Sequence, residues 1–370
     1  MSLLKPAEHC FKSLFLTCAR PFLKMRRQLN SPLDVAGMSR VLFLRPEKIG
    51  DMVISLPVFD ALKKAHPHVR MSVLASPRSL PLIKNDPRFE KIFVYDKSVF
   101  GSLKLLRNLR KENFDCILDM IDNDSATTLI CSQYVSRHAP TIGIGKGSHA
   151  QFYDFNHSHD DGIGGHIIDN TLKLLLPLGV DIDRASRFAP PYVPDEVNTR
   201  IDMVLRSAKA PDRIGIIGVN LSAGQPNRMW PLDKFIQLID LLNQQHADHA
   251  VLLIVAPSDR SRAVHVASAL GDRVSSIPDG LNLTEVSAVI SGCDLLVSPD
   301  TSLIHIARSF DVPVVGLYNR ARKNFTRWQP FEQPDGFVVA RDKDKLDDIA
   351  PEQVAAQVSN VFQRVARAVR

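Results

Sequence analysis

The stretch Ser298-Pro299-Asp300-Thr301-Ser302-Leu303-Ile304-His305-Ile306-Ala307 follows the apolar run Cys293-Asp294-Leu295-Leu296-Val297 and passes from a buried strand into a helix. Asp300, Thr301 and Ser302 fall at the junction. Free backbone N–H groups and the positive end of the helix dipole make an anion site at such a point. Short hydroxyl residues placed there suit a phosphate, which points to a nucleotide-dependent enzyme. Asp300 is either a ligand contact or the helix N-cap, and His305 either reaches the site or packs toward the core.

The same strand-to-helix step recurs in both directions along the chain. Strands are expected at 41–44, 69–74, 91–95, 114–118 and 141–144, with helices over Asp51 to Ala65 and Leu103 to Lys111. Residues 145–165, rich in Gly, His, Ser and Asp, read as a long loop before a helix ending at Pro177-Leu178-Gly179. Pro190, Pro191, Pro194 and Pro211 mark 180–212 as a connection between domains. A second series has strands at 214–220, 250–256, 273–277, 294–297 and 313–318, helices beginning near Pro231, Ser258, Leu283 and Thr301, and a last amphipathic helix from Pro351 to Ala368. Repeated units of this length imply parallel sheets covered on both faces. The expected division is a basic extension (1–39), two doubly wound α/β domains (40–205 and 206–345) facing a central cleft, and a C-terminal helix (346–370). Ligands should gather at the C-terminal ends of the strands.

Composition narrows the partners. Residues 1–40 hold seven basic and two acidic side chains, while the rest of the chain is nearly balanced, although the whole carries +6. The basic character belongs to the N-terminal segment and not to a nucleic-acid surface. In that segment Phe11, Leu14, Phe15, Cys18, Phe22 and Met25 recur at helical spacing, with Lys12, Arg20, Lys24 and Arg27 largely off the stripe. Residues 1–38 are read either as an interfacial helix on an anionic inner membrane or as a floppy or core-packed extension, with Pro21 weakening a continuous helix. No run of about 18 apolar residues is present, so a spanning helix is not expected. Five scattered cysteines without a Cys-x-x-Cys pair support neither a zinc ribbon nor a disulfide framework, and fit a reducing cytoplasm.

Three further loops carry candidate chemistry. Arg45-Pro46-Glu47-Lys48-Ile49-Gly50-Asp51 leaves the first strand, with Gly50 suited to a tight turn and Asp51 at a helix start. It contains no G-x-G-x-x-G dinucleotide fingerprint. Asp51 can cap its helix or act as a general base toward a substrate hydroxyl; from position alone the cap is the simpler role. Leu221 to Pro231 leaves the first strand of the second series and offers Arg228, which either pairs with phosphate or lies on the surface beside Trp230. His149, His157, His159 and His166 with Asp154, Asp160 and Asp161 match no standard ligand spacing, so no metal site is assigned. The acidic pairs at Asp122/Asp124 and Asp181/Asp183 are read as solvent-facing.

These elements, in this order, resemble the lipopolysaccharide heptosyltransferases, glycosyltransferase family 9. The resemblance runs from about Val41 to Tyr318 and rests on four elements: Arg45 through Gly50-Asp51 to Pro57, His166-Ile167-Ile168-Asp169, Arg228-Met229-Trp230-Pro231, and Ser298 to Ala307. It implies a GT-B fold of two Rossmann-like domains and an inverting, metal-independent transfer of heptose from an ADP-sugar to a lipid-linked acceptor, with no cofactor. By the same resemblance Asp51 is the base, and Arg228, Asp300, Thr301, Ser302 and His305 bind the donor. Lys48 and Gly50 meet acceptor or phosphate. Ser302 stands where Gly is usual in the family, and Arg228 where Lys is common. The other readings are transfer of a different nucleotide sugar to a capsule or other glycan, and a non-catalytic sugar-nucleotide-binding protein. The expected location is the cytoplasm, peripheral to the inner membrane.

Overall fold

A computed structural model describes residues 23–29, 31–96, 98–159, 165–209, 213–320 and 325–368. The chain forms two compact units: one holds residues up to Leu80 together with Pro87–Arg187, the other Pro81–Asp86 together with Phe188 onward.

The first unit is built on β1 (Arg40–Arg45), β2 (Arg70–Ala75), β3 (Phe89–Val94), β4 (Cys116–Asp119), β5 (Thr141–Ile144) and β6 (Phe155–His157). Every pairing is parallel and the order is β3-β2-β1-β4-β5-β6. Val41, Leu42, Phe43 and Leu44 are all buried, as a strand covered on both faces requires. Between the strands in chain order run α1 (Ile49–Val53), α2 (Leu56–Ala65), the short α3 (Leu80–Ile83), most of which belongs to the second unit, α4 (Val99–Lys111) and α5 (Ala126–Val135), with α6 (Ile167–Leu172) following β6.

The expected helix over Asp51 to Ala65 is two helices. Pro57 has no N–H to give to the Val53 carbonyl and its ring crowds that oxygen, so the chain breaks at Ile54-Ser55 and restarts. The stretch 145–165 is not all loop either. It contains β6, which extends the sheet because Asp154 donates its N–H to Thr141 O at 2.9 Å and its carboxylate accepts the Thr141 N–H at 2.8 Å. Gly145 leaves β5 with φ +60°, and an added Cβ would lie 2.7 Å from the Asp122 carbonyl oxygen, so the turn requires glycine.

The second unit repeats the plan with β7 (Gly215–Asn220), β8 (His249–Ile254), β9 (Ser275–Ser276), β10 (Leu295–Pro299), β11 (Val314–Tyr318) and β12 (Phe337–Val339). Its order, β12-β11-β10-β7-β8-β9, is again all parallel. Counted from each unit's own first strand, both sheets read 3-2-1-4-5-6, the doubly wound order of a Rossmann-like domain. The helices are α7 (Asp195–Ala208), α8 (Leu232–Gln245), α9 (Arg260–Leu270), α10 (Leu283–Ser291), α11 (Ser302–Ser309), α12 (Phe325–Trp328) and α13 (Pro351–Ala368). Helix α7 lies in the proline-rich stretch expected to be a plain connection. Pro194 sits at its N-cap, and its Arg200 pairs with Glu285 of α10. Helix α13 joins the second unit: Val354, Ala355, Val358 and Val361 enter the core with Leu238, Ile239 and Leu242 of α8.

Candidate functional site

In a doubly wound sheet the crevice opens where the strand order reverses, between the first and fourth strands. In the second unit that point lies between β7 and β10. Asn220, the last residue of β7, ties the two strand ends together: its Nδ2 donates to Ser298 Oγ at 2.9 Å, Ser222 O at 3.1 Å and Thr301 Oγ1 at 3.3 Å. Asn220 and Ser298 are buried, so the bonds form in place of solvent. Sequence reading passes over Asn220 because it looks like the end of an apolar run.

Pro299 ends β10, and the N-cap of α11 is Thr301, not Asp300. Thr301 Oγ1 accepts the Leu303 N–H at 3.3 Å. Asp300 instead receives Arg228: Nη1 lies 3.1 Å from Asp300 Oδ2 and 3.3 Å from the Asp300 carbonyl oxygen. The Arg228 loop and the Asp300 turn therefore meet, as expected. Among the described residues Arg228 bonds only through Nη1, and its side chain keeps 34% of its exposure. The rest of the planar fork, Nε and Nη2, can take an anion bidentately. Ser302 is the first residue of α11 and half-buried, and its backbone N–H bonds to no described residue. Two kinds of donor thus face one helix end. His305, half-buried on α11, has its ring 5.9 Å from that of Trp328. Trp230 is an anchor: it is buried, donates Nε1–H to Ile349 O at 3.3 Å, and meets Phe235 edge-on at 4.8 Å.

In the first unit the reversal lies between β1 and β4. Arg45, the last residue of β1, is buried and bridges them. It donates Nη1–H to the Met120 carbonyl just past β4, and Nε–H to Asp51 O at 3.0 Å. Ser55 Oγ donates to the same Asp51 carbonyl at 2.7 Å, which fixes the Asp51 backbone from two sides. The Asp51 carboxylate does cap: Oδ2 accepts the Lys48 N–H at 3.2 Å, while Oδ1 lies 3.9 Å from Arg45 Nη2. Lys48 itself is exposed. Gly50 is the second residue of α1 and has no positive φ, so the tight turn expected of it is absent.

Glu47 is the titratable group that sequence reading misses here. Its Oε2 accepts Arg45 Nη1–H at 2.7 Å. Burial pushes its carboxyl up to about 7, against the pull of Arg45 and with the negative charges of Asp51, Asp122 and Asp119 adding to the rise. No spacing rule signals this, since the rise comes first from burial and then from carboxylates that only the fold brings near.

Below this loop is a polar network with no exposure. Asp119 Oδ2 accepts Tyr153 Oη–H at 2.6 Å and Thr128 Oγ1–H at 2.7 Å, and pairs with Lys146 Nζ at 2.9 Å. Lys146 also donates to Ile121 O at 2.6 Å and Asn123 O at 3.0 Å. Burial, then Asp119, raises the Tyr153 hydroxyl well above its ordinary value, so it stays a donor. This network fixes the turn after β4, whose Met120 carbonyl holds Arg45.

Several members of the remaining polar clusters have structural partners. Asp124 does not simply face solvent. It accepts N–H bonds from Gly147, Ser148 and His149. Burial opposes its charge, but the Ser148 hydroxyl and His149 hold its carboxyl below the usual range. Asp181 caps its own turn by accepting the Asp183 N–H at 3.2 Å. His166 accepts the Ile168 N–H at the start of α6, and His159 Nε2 lies 2.9 Å from Asp122 O. Asp160 and Asp161 lie outside the described residues. Among the described residues no three His, Cys, Asp or Glu side chains converge as metal ligands would. Nor, among them, is any helix long and apolar enough to cross a membrane. The amphipathic stripe expected in the N-terminal segment lies outside the described residues up to Phe22. Further along the same segment Arg26 is occupied: its guanidinium pairs with Asp154 at 2.8 Å.

Comparison with known proteins agrees with this architecture. The sequence profile of Glycosyltransferase family 9 (heptosyltransferase) matches residues 102–354, more than half of the chain. The chain is 23% identical over 303 residues to lipopolysaccharide heptosyltransferase 3 of Escherichia coli strain K12, covering 77% of this chain and 83% of that one. Its fold is similar to that of a glycosyl transferase family 9 protein from Veillonella parvula, with TM-score 0.72, 19% identity, and coverage of 88% and 97% of the two chains. It is also similar to that of the E. coli heptosyltransferase WaaC solved with ADP, with TM-score 0.67, 17% identity, and coverage of 89% and 98%. The two-domain α/β architecture is the GT-B fold.

Proposed function

We propose a specific sugar transfer for this chain from one established premise: it belongs to glycosyltransferase family 9, the heptosyltransferases, and is a glycosyltransferase. The reaction proposed is inverting transfer of a heptose from ADP-heptose to a lipid-linked lipopolysaccharide-core acceptor. The relative that acts as a lipopolysaccharide heptosyltransferase supports the acceptor class. The observation that carries the donor side is the pairing of Arg228 with Asp300 at the N-terminus of α11.

In this reaction the acceptor hydroxyl oxygen attacks the anomeric carbon on the face opposite the nucleotide. The bond from that carbon to the diphosphate oxygen breaks, and its electron pair leaves with ADP. The hydroxyl proton goes to Asp51, whose Oδ1 is not used by the cap. Charge develops on the diphosphate, and fixed donors aimed there stabilise the transition state more than the ground state. Arg228 supplies the charge through Nε and Nη2, and the Ser302 N–H and the α11 dipole supply the rest. Asp300 acts through Arg228, since a carboxylate facing the diphosphate directly would repel it. Thr301 holds the turn, His305 lies one helical turn into α11, and Lys48 and Gly50 lie by the acceptor. With these groups neutralising the leaving group, the transfer is metal-independent. The enzyme works in the cytoplasm, peripheral to the inner membrane, whose surface residues 1–38 contact.

The test is turnover by purified protein on a panel of nucleotide sugars with a lipopolysaccharide-core acceptor. ADP-heptose should be preferred, and a preferred non-heptose donor overturns the heptose assignment. Asp51→Asn should lower transfer by about 10²–10⁴-fold, the range of a lost general base, with ADP binding kept. Activity should persist in excess chelator, and its strict loss would contradict the metal-free scheme.

A further inference from the structure

Away from both strand-order reversals, α4 carries a face that has no partner among the described residues of the first unit. Leu109 is buried in the core with Leu42, Leu44 and Ile117, and Leu105 and Leu106 pack against that core. The opposite face presents Phe100, Leu103, Lys104, Arg107, Arg110 and Lys111, all exposed. Phe100 is 87% exposed and Leu103 48%, although neither lacks the size to enter a core. From Ser98 to Lys111 the sequence contains four cations and no acid. Glu112, the nearest acid beyond the helix, is held by Lys91 at 2.7 Å. None of the four cations forms an ion pair with a described residue. Arg110 lies over the Tyr134 ring at 5.4 Å. Lys104, Arg107, Asn108, Arg110, Lys111 and Tyr134 line an open groove of about 420 Å³.

We propose that this face of α4 docks on the surface of an anionic lipid bilayer. Charge alone would suit any polyanion. The bilayer is favoured because the cations share their face with two exposed apolar side chains at the N-terminal half of the helix. Phe100 and Leu103 enter the boundary between headgroups and acyl chains, while the four cations and the Tyr134 hydroxyl remain at the level of the phosphates. A soluble anion or nucleic acid would leave Phe100 and Leu103 in water with nothing gained. The residues of this face lie outside 1–38 in the sequence, and the inference is independent of which sugar is transferred.

The experiment is sedimentation of the full chain with vesicles of phosphatidylcholine alone and of phosphatidylcholine with phosphatidylglycerol. Binding is expected only to the anionic vesicles. The combined substitution Lys104→Gln, Arg107→Gln, Arg110→Gln and Lys111→Gln should weaken it by at least tenfold, each cation near such a surface contributing about fivefold. Phe100→Ser should remove the part of the binding that survives high salt. Lys5→Gln, Lys12→Gln and Arg20→Gln together should leave most of the binding intact. Phe100 and the four cations are exposed, and urea unfolding of the Phe100 and quadruple variants should match wild type. Unchanged vesicle binding by the quadruple variant overturns the proposal. So does loss confined to the Lys5, Lys12 and Arg20 variant, or displacement of the vesicles by millimolar inorganic phosphate or by an RNA oligonucleotide.

Discussion

Arg228 Nη1 makes both of its contacts to one residue, the carboxylate of Asp300 at 3.1 Å and the carbonyl of Asp300 at 3.3 Å. The guanidinium is held in place before any anion arrives, and preorganisation of this kind lowers the cost of binding. The two residues should then differ in effect. Arg228→Ala removes the charged donor and should weaken ADP binding by about 10–100-fold, as expected for hydrogen bonds to a charged group. Asp300→Ala removes the carboxylate that holds the arginine but keeps the carbonyl contact, and should cost about 2–10-fold, the value of one immobilised side chain. Titration calorimetry with ADP distinguishes them, and an Arg228→Ala protein with wild-type affinity removes Arg228 from the donor site.

Glu47 should leave a signature in the pH dependence of stability. Its carboxyl is raised to about 7 in the folded chain, against an ordinary value of 4.5. Between those two values the folded state keeps a proton that the unfolded state has released. Stability therefore falls as pH rises through this window and levels off above about 7. Glu47→Gln has no such titration, so its urea midpoint relative to wild type should climb across the same window. A difference that stays constant with pH would show that Glu47 ionises normally.

The three described cysteines should be inert. Burial pushes the Cys131 and Cys293 thiols up to about 12, and Cys116 higher still. The thiolate is the reacting species, and all three side chains are buried. Iodoacetamide labelling of these residues, read peptide by peptide, should proceed only as fast as the chain unfolds. Labelling of Cys116 in native buffer at the rate of a free thiol would contradict the buried placement.

The strands legible in the sequence are those set by local pattern. Val41 to Leu44, Ile214 to Asn220 and Asp294 to Val297 are largely apolar runs, and runs of that length ending at polar loops mark parallel strands. The junction at Thr301 is visible because helix starts select hydroxyl residues. Helix α7 is hidden because Pro190, Pro191 and Pro194 read as a linker, although Pro194 only precedes its first turn and Ile201 is its one buried residue. Strand β6 is hidden because its pairing depends on Asp154 folding back on Thr141, a contact between polar residues. Assignment of Asp300 as a cap fails for a similar reason, since Arg228 is remote in sequence and decides what Asp300 does. Glu47 and the Asp119 network are beyond reach altogether. Asp119, Thr128, Lys146 and Tyr153 carry no recognisable spacing, and only the fold brings them together.

That network makes the sharpest stability prediction. Lys146 and Asp119 are both fully buried at 2.9 Å, and each is desolvated for the other. Lys146→Met fits an unbranched apolar chain into similar space, yet it leaves the Asp119 carboxylate buried without its cation. It also takes the donor from Ile121 O and Asn123 O. Removing one member of a buried pair costs about 3–5 kcal/mol, mostly as the penalty of the stranded charge. Tyr153→Phe keeps the pair and loses one hydrogen bond to the carboxylate, so about 1.5–3 kcal/mol is expected. Urea denaturation should rank Lys146→Met as the more destabilised. The turn fixed by Lys146 also presents the Met120 carbonyl to Arg45, and Arg45 in turn fixes the Asp51 backbone. Lys146→Met should therefore lower turnover more than its folded fraction explains, and Tyr153→Phe should not. A Lys146→Met protein within about 1 kcal/mol of wild type, too small a cost for a stranded buried charge, would mean that Asp119 is not held as a buried anion.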